Sequence, residues 1–249
     1  MVTIASFAIG DIYEEELSHM VESCQQHSPS CDMIVGTGAT GSNVMRFNFY
    51  RDGEDRGFVY EAEIDTAPED ISNWNNIGFV KAWFIKACFK LCDICPRGIK
   101  DDYLLWLDAD ARVRGDLECL WQEMDEPVGM VKRADFFING TIGLKNTPEV
   151  RDWISRWWER CKQRMSPNHT EWLVNDQTVL RQMIVDGDHP GISDLGERWA
   201  SLPPDLVGSK ANPPIVKPPD ADALVWHWQA SRATMKGWNW PPAEEIRPK

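Results

Sequence analysis

Short apolar runs alternate along the chain with longer amphipathic stretches. The apolar runs at 3–9, 32–35 and Tyr103–Leu107 have the length and composition of buried strands. Between them, residues 13–27 and 74–91 place apolar side chains at helical spacing. Strands that alternate with helices predict an α/β fold with a mostly parallel sheet flanked by helices.

The same alternation continues through the second half of the chain and fades near its end. Further patterns predict strands at 48–50, 59–60 and 128–131, a turn or strand at 136–144, and helices at 148–164 and 176–185. Beyond Gly187 the pattern is irregular and proline pairs become frequent. We therefore expect a single domain over residues 1–249, in which the Pro- and Trp-rich segment 203–249 closes over the rest.

The charge balance excludes one large class of partner. The chain carries 26 Lys and Arg residues against 39 Asp and Glu residues, a formal net charge of −13 at pH 7. Nucleic-acid binding depends on basic patches that neutralise phosphates, so we expect no nucleic-acid partner. No apolar run approaches the roughly 20 residues of a transmembrane helix, and we expect no transmembrane segment.

The cysteines indicate a reducing compartment. There are seven, an odd number, and they are scattered along a chain in which we expect no secretory signal peptide. This predicts a cytoplasmic location. Cys92 and Cys95 have the spacing of a redox or zinc motif, but no second Cys or His pair stands at a suitable distance, so we do not expect structural zinc.

An acidic pair follows the apolar run at Tyr103–Leu107. Asp108 and Asp110 stand one residue apart at the carboxyl end of this predicted strand, where open α/β sheets place their ligands. Two neighbouring carboxylates repel each other unless a cation, a basic residue or a raised pKa relieves the repulsion. A divalent cation that also binds substrate phosphates is one common solution. The alternative is a strand that ends in a solvated acidic turn.

Four motifs occur in one order along the chain. They are Asp108-x-Asp110, Phe136-Phe-Ile-Asn139-Gly140, Asn175-Asp176-Gln177 and a C-terminal His227 followed by Lys236-Gly-Trp. Together they resemble the nucleotide-sugar-dependent glycosyltransferases of the GT-A fold, over residues 7–238. Within that superfamily the pattern is most similar to retaining enzymes, namely the glycogenin-like family 8 and the blood-group-type galactosyltransferases. The resemblance implies a Rossmann-like GT-A domain.

The resemblance also implies a metal site. Asp108, Asp110 and His227 would hold Mn²⁺ or Mg²⁺, and Lys236 would neutralise the diphosphate of the donor. Carboxylates with a single histidine suit these cations better than zinc, which prefers more nitrogen and sulfur. The alternative for His227 is a structural histidine between two packed tryptophans. Because the resembling families mostly use UDP-sugars, the implied donor is a UDP-sugar.

Further donor contacts are implied along the first strand and around the acidic pair. The candidates are Phe7, Ala8, Ile9, Gly10, Asp11, Lys81, Ala109 and Gly140. Arg112 is a weaker candidate for a phosphate or donor contact, because a basic residue near an acidic strand end is often only a salt-bridge partner.

Asn139, Asp176 and Gln177 would face the transferred sugar. Asp176 could orient the sugar, stabilise an oxocarbenium-like transition state or act as base for the acceptor; alternatively it is a helix N-cap. Gln177 stands where blood-group-type enzymes carry an acidic residue, which argues against a covalent intermediate there. Front-face retention and inversion both stay open. The family-8 motif His-Phe-x-Gly is absent, since the chain has His227-Trp-Gln-Ala-Ser, so we expect a different closing loop.

The leading hypothesis is an enzyme, a metal-dependent hexosyltransferase that acts on a nucleotide sugar and a saccharide or glycan acceptor. One alternative is a sugar nucleotidyltransferase, but those enzymes usually carry a Gly-rich basic loop after the first strand, where this chain has Ile9-Gly10-Asp11. The other is a non-catalytic carbohydrate-binding protein that uses the thirteen tryptophans. Such a protein would not need the acidic pair, His227 and Lys236 together.

Overall fold

The computed structural model describes residues 2–72, 74–94, 102–133, 135–166, 168, 175–200 and 222–227. The helices are α1 Asp11–His27, α2 Pro68–Ile71, α3 Trp74–Ile77, α4 Val80–Ile94, α5 Leu120–Glu123, α6 Pro148–Lys162 and α7 Asp176–Val185. The strands are β1 Val2–Ile9, β2 Asp32–Gly38, β3 Val44–Arg51, β4 Glu54–Glu63, β5 Tyr103–Leu107, β6 Ala111–Val113, β7 Val128–Arg133, β8 Phe136–Lys145, β9 Ile192–Asp194 and β10 Val225–His227.

The main sheet has eight strands in the order β4-β3-β2-β1-β5-β8-β7-β9. Its centre is parallel, because β1 pairs in parallel with both β2 and β5. Antiparallel strands extend the sheet on both sides, and β9 returns parallel to β7. The predicted α/β class is confirmed. A separate ribbon of β6 and β10 lies beside this sheet.

A polar turn joins the two strands of the first outer hairpin. Strands β3 and β4 are longer than the apolar runs at 48–50 and 59–60, and they meet at Asp52 and Gly53. Both turn residues have positive φ, 52° and 74°. This backbone conformation matches the right-handed twist of the two strands and is one that glycine adopts without strain.

Two apolar layers form the core, one on each side of the sheet. One layer packs α4, α6 and α7 against the sheet and includes Trp153 and Trp157, whose ring centroids lie 6.3 Å apart. The other packs α1 and the short 3₁₀ helix Glu197–Trp199 against the opposite face. Alternate residues of β1 enter the two layers, as expected for a strand covered on both faces.

The predicted helix at 74–91 is wrong at one point, because the chain turns between α3 and α4 at Gly78 and Phe79. A Cβ on Gly78 would lie only 3.0 Å from Oδ1 of Asp176. The break therefore lets the backbone approach the start of α7 closely, which a periodicity of apolar side chains does not reveal.

Two further expectations concern the whole chain. Among the helices that the structure describes, none combines the length and apolar character that crossing a bilayer requires. None of the six cysteines in the described ranges forms a disulfide. Cys95 lies outside those ranges, as does all of the segment 203–249 except residues 222–227.

Candidate metal and donor site

The acidic pair lies in a tight turn between β5 and β6. The backbone N–H of Asp108 donates to the carbonyl of Gly140 at 2.9 Å, and the N–H of Ala111 donates back to the carbonyl of Asp108 at 2.9 Å. The first bond joins the end of β5 to β8, and the second closes the turn into β6. The turn thus fixes both carboxylates at the carboxyl end of the parallel strands, as their position in the sequence predicts.

Strand β8 supplies the neighbouring wall through an irregularity in its pairing. Met130 of β7 pairs with Ile142, but Val131 pairs with Ile138, so residues 139–141 bulge out of the ladder. Such bulges re-aim side chains and are frequent next to active sites. Here the bulge directs Asn139 and Gly140 towards the acidic turn.

His227 comes to the acidic pair through the ribbon of β6 and β10, in which it pairs with Ala111. Ligand atoms of Asp108, Asp110 and His227 all lie within 4.8 Å of one another. His227 is buried, whereas Asp108 and Asp110 are half-buried. Two carboxylates and one imidazole form a donor set that could hold Mn²⁺ or Mg²⁺.

The hydrogen bonds around His227 determine which ring nitrogen carries the hydrogen in the neutral ring. Oγ1 of Thr141 lies 2.7 Å from the carbonyl oxygen of Trp199, which can only accept. The single hydroxyl hydrogen is thereby used, so Oγ1 accepts from Nε2–H of His227 at 2.9 Å. In the neutral ring Nδ1 is then the unprotonated nitrogen, and it faces Oδ1 of Asp110 at 3.3 Å.

This contact is favourable only with positive charge between the two atoms. An imidazole lone pair and a carboxylate oxygen are both acceptors and repel at this distance. A proton on Nδ1 or a metal ion would relieve the repulsion, and a hydrogen bond from the far ring nitrogen is the usual support of a metal-bound histidine. The residues present therefore fit a divalent cation.

Lys81, at the start of α4, is a buried lysine between two carboxylates. Its Nζ lies 2.7 Å from Oδ1 of Asp108 and 3.3 Å from Oδ2 of Asp176, and it donates to the carbonyl of Asn139 at 3.1 Å. It also lies 5.3 Å from the ring centroid of Trp106. Burial alone would lower the pKa of Lys81, but Asp108 and Asp176 raise that pKa above its ordinary value.

Asp108 has its two oxygens in different surroundings. Oδ1 accepts from Trp106 Nε1 at 2.9 Å and contacts Lys81, whereas Oδ2 faces Gly140. The pKa of Asp108 is raised because burial disfavours its charged form, and the nearby Asp110 adds to this rise while Lys81 and His227 act against it. Burial is therefore the main cause that opposes the ionised form of Asp108.

Asp176 faces the same lysine from α7. Its Oδ2 accepts a short hydrogen bond from Nδ2 of Asn139. The alternative prediction for Asp176, a helix N-cap, is wrong, because Asn175 is the cap and accepts from the backbone N–H of Thr178 at 3.1 Å. Capping by Asn175 leaves the carboxylate of Asp176 buried in the site.

Gly140 provides the space for the metal ligands. A Cβ at this position would lie 3.3 Å from Oδ2 of Asp108 and 3.3 Å from Cε1 of His227. Any larger residue would therefore push against two candidate ligands at once.

The predicted donor residues in and just after β1 differ in burial. The side chains of Phe7, Ala8 and Ile9 are buried in the apolar layers, so any contact with a nucleotide would be made by their backbone. Gly10 has φ of +87° and donates to the carbonyl of Gly38 at 3.0 Å. Asp11 is exposed at the start of α1.

The remaining predicted residues are scattered. Ala109 is buried within the acidic turn and Gln177 is half-buried next to Asp176. Arg112 does not join the cluster, because it forms an ion pair with Glu16 at 2.6 Å. Lys236 lies outside the described residues.

Sequence reasoning missed Thr141 and Trp106, although both orient a candidate ligand. Thr141 follows Asn139-Gly140, but its contact partners come from distant segments, so no local pattern identifies its role. Trp106 carried a usable signal, because a buried indole N–H normally requires an acceptor and Asp108 is two residues away.

Comparisons with known proteins identify the fold. Neither a protein-family model nor a curated protein matches the chain. A solved glycosyltransferase involved in the glycosylation of the major capsid of PBCV-1 is similar over 95% of this chain and 98% of its own, with 13% identity and a TM-score of 0.50. The galactosyltransferase LgtC, in complex with donor and acceptor sugar analogs, is similar over 97% and 98%, with 18% identity and a TM-score of 0.51.

An active-site mutant of LgtC gives the same values as LgtC itself. Each likeness spans nearly the full length of both chains, so the chain has the GT-A fold of these glycosyltransferases. At these levels of identity the likeness concerns the fold, and the chemistry must be argued from the residues of the site.

Proposed function

We propose that this protein is a metal-dependent glycosyltransferase that transfers a hexose from a nucleotide diphosphate sugar to a hydroxyl of a saccharide acceptor. One observation carries the proposal, the presence of two clusters side by side at one edge of the sheet of a GT-A fold. The first cluster consists of the candidate metal ligands Asp108, Asp110 and His227. The second is buried and consists of Lys81, Asp176 and Asn139. An acidic metal site beside a second, buried charge cluster suits a substrate that has a diphosphate at one end and a sugar at the other.

The roles follow from charge. A Mn²⁺ or Mg²⁺ ion held by Asp108, Asp110 and His227 would stabilise the negative charge that develops on the departing nucleoside diphosphate. Lys81 provides fixed positive charge beside that site and holds Asp108 and Asp176 in place. Lys236, by the resemblance, would add a second positive charge at the diphosphate.

Asp176 is the residue that we assign to the sugar itself. Its Oδ2 is occupied by Lys81 and Asn139, so this oxygen is held still rather than free to attack. A fixed carboxylate at that place would stabilise positive charge at the anomeric carbon in an oxocarbenium-like transition state. Asn139 would orient Asp176, and Gln177 would contact the donor sugar or the acceptor.

The two alternatives fit this geometry less well. A sugar nucleotidyltransferase would use basic groups after β1, but the first turn of α1 is acidic, with Asp11 and Glu14. A carbohydrate-binding protein would gain nothing from burying Lys81 against two carboxylates, because burial of ionised groups is costly. Five tryptophans are fully buried in the core and offer no stacking surface, namely Trp106, Trp153, Trp157, Trp158 and Trp199. Among the described residues Trp121 is the tryptophan that is largely exposed, at 50%.

The donor is proposed to be a UDP-sugar and the location the cytoplasm. The UDP-sugar rests on the resembling families. The cytoplasmic location is supported by the six described cysteines, none of which forms a disulfide.

A thermal-shift panel tests the proposal. UDP-, GDP- and TDP-sugars would each be added with and without Mn²⁺, because a ligand that binds only the folded state raises Tm by mass action. We expect one nucleotide, UDP, to raise Tm only when Mn²⁺ is present. If no nucleotide sugar gives a metal-dependent shift and none is hydrolysed by the protein, the proposed function is wrong.

A further inference from the structure

Two arginines and an exposed aromatic ring cluster at the tip of the β7–β8 hairpin, next to the candidate site. Arg133 ends β7 and is the register partner of Phe136, which begins β8. Side chains of directly opposed residues in antiparallel strands lie on the same face. The guanidinium carbon of Arg181, from α7, lies 3.5 Å from the ring centroid of Phe136. We refer to Arg133, Phe136 and Arg181 as the hairpin-tip cluster.

The same two elements that carry the cluster also carry residues of the reaction centre. Asn139 follows Phe136 along β8 by three residues, and Asp176 precedes Arg181 on α7 by five. These separations correspond to about 10 Å along a strand and about 7.5 Å along a helix. The hydrogen bond between Asn139 and Asp176 joins the two elements at one end, and the stack of Arg181 on Phe136 joins them at the other.

The hairpin tip also extends past the end of β5, the strand that leads into the acidic turn. Strand β5 ends at Leu107, which pairs with Thr141, so residues 136–140 of β8 continue beyond the end of β5. Nη2 of Arg133 donates to the carbonyl of Ala200 at 3.1 Å, and the preceding carbonyl, that of Trp199, belongs to the network around His227. The cluster is therefore connected to the metal-ligand side as well as to Asp176.

The two arginines lack the partners that other arginines in this acidic chain have. Within the described part of the chain, neither has a carboxylate oxygen within 4.0 Å, whereas Arg151 and Arg156 each pair with at least one. Nε of Arg133 and Nε of Arg181 are both buried without a hydrogen-bond partner. A buried N–H without an acceptor is unfavourable for folding, so the fold alone does not explain why both guanidinium groups are held here.

The carboxylates on the neighbouring strand β9 and in the hairpin turn do not neutralise the cluster. Asp194, on β9, accepts from the backbone N–H groups of Lys132 and Gly196, both at 3.0 Å. Asp135, in the hairpin turn, is exposed. The terminal nitrogens of Arg181 therefore stand beside an aromatic ring that is 38% exposed, with no anionic partner among the described residues.

We infer that the hairpin-tip cluster binds an anionic group, a carboxylate or a phosphate, on the saccharide acceptor. Guanidinium groups bind both anions through paired, charge-assisted hydrogen bonds, and an exposed aromatic ring packs against the apolar face of a sugar. An acceptor with its reactive hydroxyl near Asp176 would extend along β8 and α7. A neighbouring substituent or sugar unit of that acceptor would then reach the hairpin-tip cluster. This inference rests on the proposed function, because it assumes that the protein has a saccharide acceptor. It adds that this acceptor carries an acidic group.

Three matched glycosides test this inference on the full chain. They are p-nitrophenyl β-D-glucoside, the corresponding glucuronide and the corresponding 6-phosphoglucoside, which share ring and aglycone and differ in charge. Their dissociation constants would be measured by calorimetry in the presence of Mn²⁺ and UDP. We expect at least one anionic glycoside to bind roughly tenfold more tightly than the glucoside, as for a charge-assisted hydrogen bond. The preferred anion identifies the acceptor group.

Variants connect that preference to the cluster. Arg181→Gln and Arg133→Gln should reduce the ratio of anionic to neutral affinity towards one, and this ratio cancels general effects on folding. Lys90→Gln removes a positive charge from an exposed position on α4 and should leave the ratio unchanged. Equal binding of all three glycosides, no binding of any, or a preference that survives both arginine variants would overturn the inference.

These outcomes are distinguishable from failure of the proposed function. Glycoside binding is measured directly, without transfer, whereas the proposed function is tested by metal-dependent shifts with nucleotide sugars. An anionic preference that depends on Arg181, found in a protein that binds no nucleotide sugar, would support the cluster and refute the transferase.

Discussion

Two groups of ion pairs in this molecule use the same chemistry in opposite surroundings. In the site, the side chain of Lys81 is 9% exposed and contacts Asp108 and Asp176. On the surface between α6 and the end of α7, the side chain of Arg156 is 46% exposed and pairs with Asp188 at 2.9 Å. Lys81 and Asp176 are largely enclosed by protein, whereas the side chain of Asp108 is 36% exposed. In the second pair the guanidinium of Arg156 is largely in water, and Asp188 is 19% exposed.

The two groups of ion pairs are expected to contribute differently to the free energy of unfolding. An exposed ion pair contributes about 0–1 kcal/mol to stability, because water screens it. A buried pair loses hydration on formation, and removing one partner leaves the other charge uncompensated. A buried lysine between two carboxylates is costly to maintain, and its position next to the candidate metal ligands makes it a candidate functional residue.

Replacing Lys81 should have the largest effect of any change at these ion pairs. Lys81→Met keeps much of the side-chain volume but leaves Asp108 and Asp176 without their shared partner. We expect the free energy of unfolding to fall by about 3 kcal/mol, together with loss of transferase activity. Urea denaturation measures the first effect. A decrease below about 1 kcal/mol would mean that Lys81 behaves like a surface ion pair.

Replacing Asp110 should abolish activity without a large change in stability. Asp110 faces Nδ1 of His227 and repels it unless a positive charge lies between them. In Asp110→Ala we therefore expect metal-dependent activity to be abolished, while Tm without metal stays within the range of an ordinary surface substitution. Asp152→Ala, which removes an exposed carboxylate of α6, is the matched control. Activity of Asp110→Ala at saturating Mn²⁺ would contradict the metal site.

Replacing Thr141 should have an intermediate effect. Thr141→Val keeps the side-chain shape but removes both the acceptor for Nε2–H of His227 and the hydroxyl that donates to the carbonyl of Trp199. We expect Mn²⁺ affinity to fall by about tenfold, the lower end of the range for partners that orient a metal ligand. Titration followed by the electron paramagnetic resonance of free Mn²⁺ measures it. Thr141→Ser should restore affinity, and an unchanged affinity in the valine variant would exclude this role.

Replacing Arg156 should have the smallest effect. Arg156→Gln removes a pair that is largely exposed, so the free energy of unfolding should change by less than about 1 kcal/mol. The difference from the unmodified protein should shrink further in 1 M salt, where the Debye length is about 3 Å. Activity should be unchanged. A larger loss of unfolding free energy that does not depend on salt would mean that the Arg156 pair does not differ from the ion pairs of Lys81.

The parts of this structure that the sequence predicted are those with a local cause. The apolar run before Asp108 predicts both a buried strand and the place where its carboxyl end meets the ligand-binding edge. The helical spacing at 148–164 predicts α6 to within two residues of its end. In each case the signal lies within one element and does not depend on its partners.

The parts that sequence missed depend on distant segments. The break at Gly78 reflects the approach of Asp176, almost a hundred residues later along the chain. Arg181 has a helical neighbourhood that favours an ordinary surface arginine, and only the fold brings its guanidinium onto the ring of Phe136. His227 was identified through the family resemblance, because no local pattern distinguishes it from a buried structural histidine.

The ribbon of β6 and β10 has a consequence for the order of folding. Asp110 and His227 are separated by 117 residues, and three residue pairs of that ribbon bring them together. Contacts over such long sequence separations form late, since the intervening chain must first be closed into a loop. The eight-stranded sheet can therefore assemble before the third candidate ligand arrives, and a metal ion would favour the last step by binding only the completed arrangement. Metal affinity would then report whether strand β10 has docked on a body that is already folded.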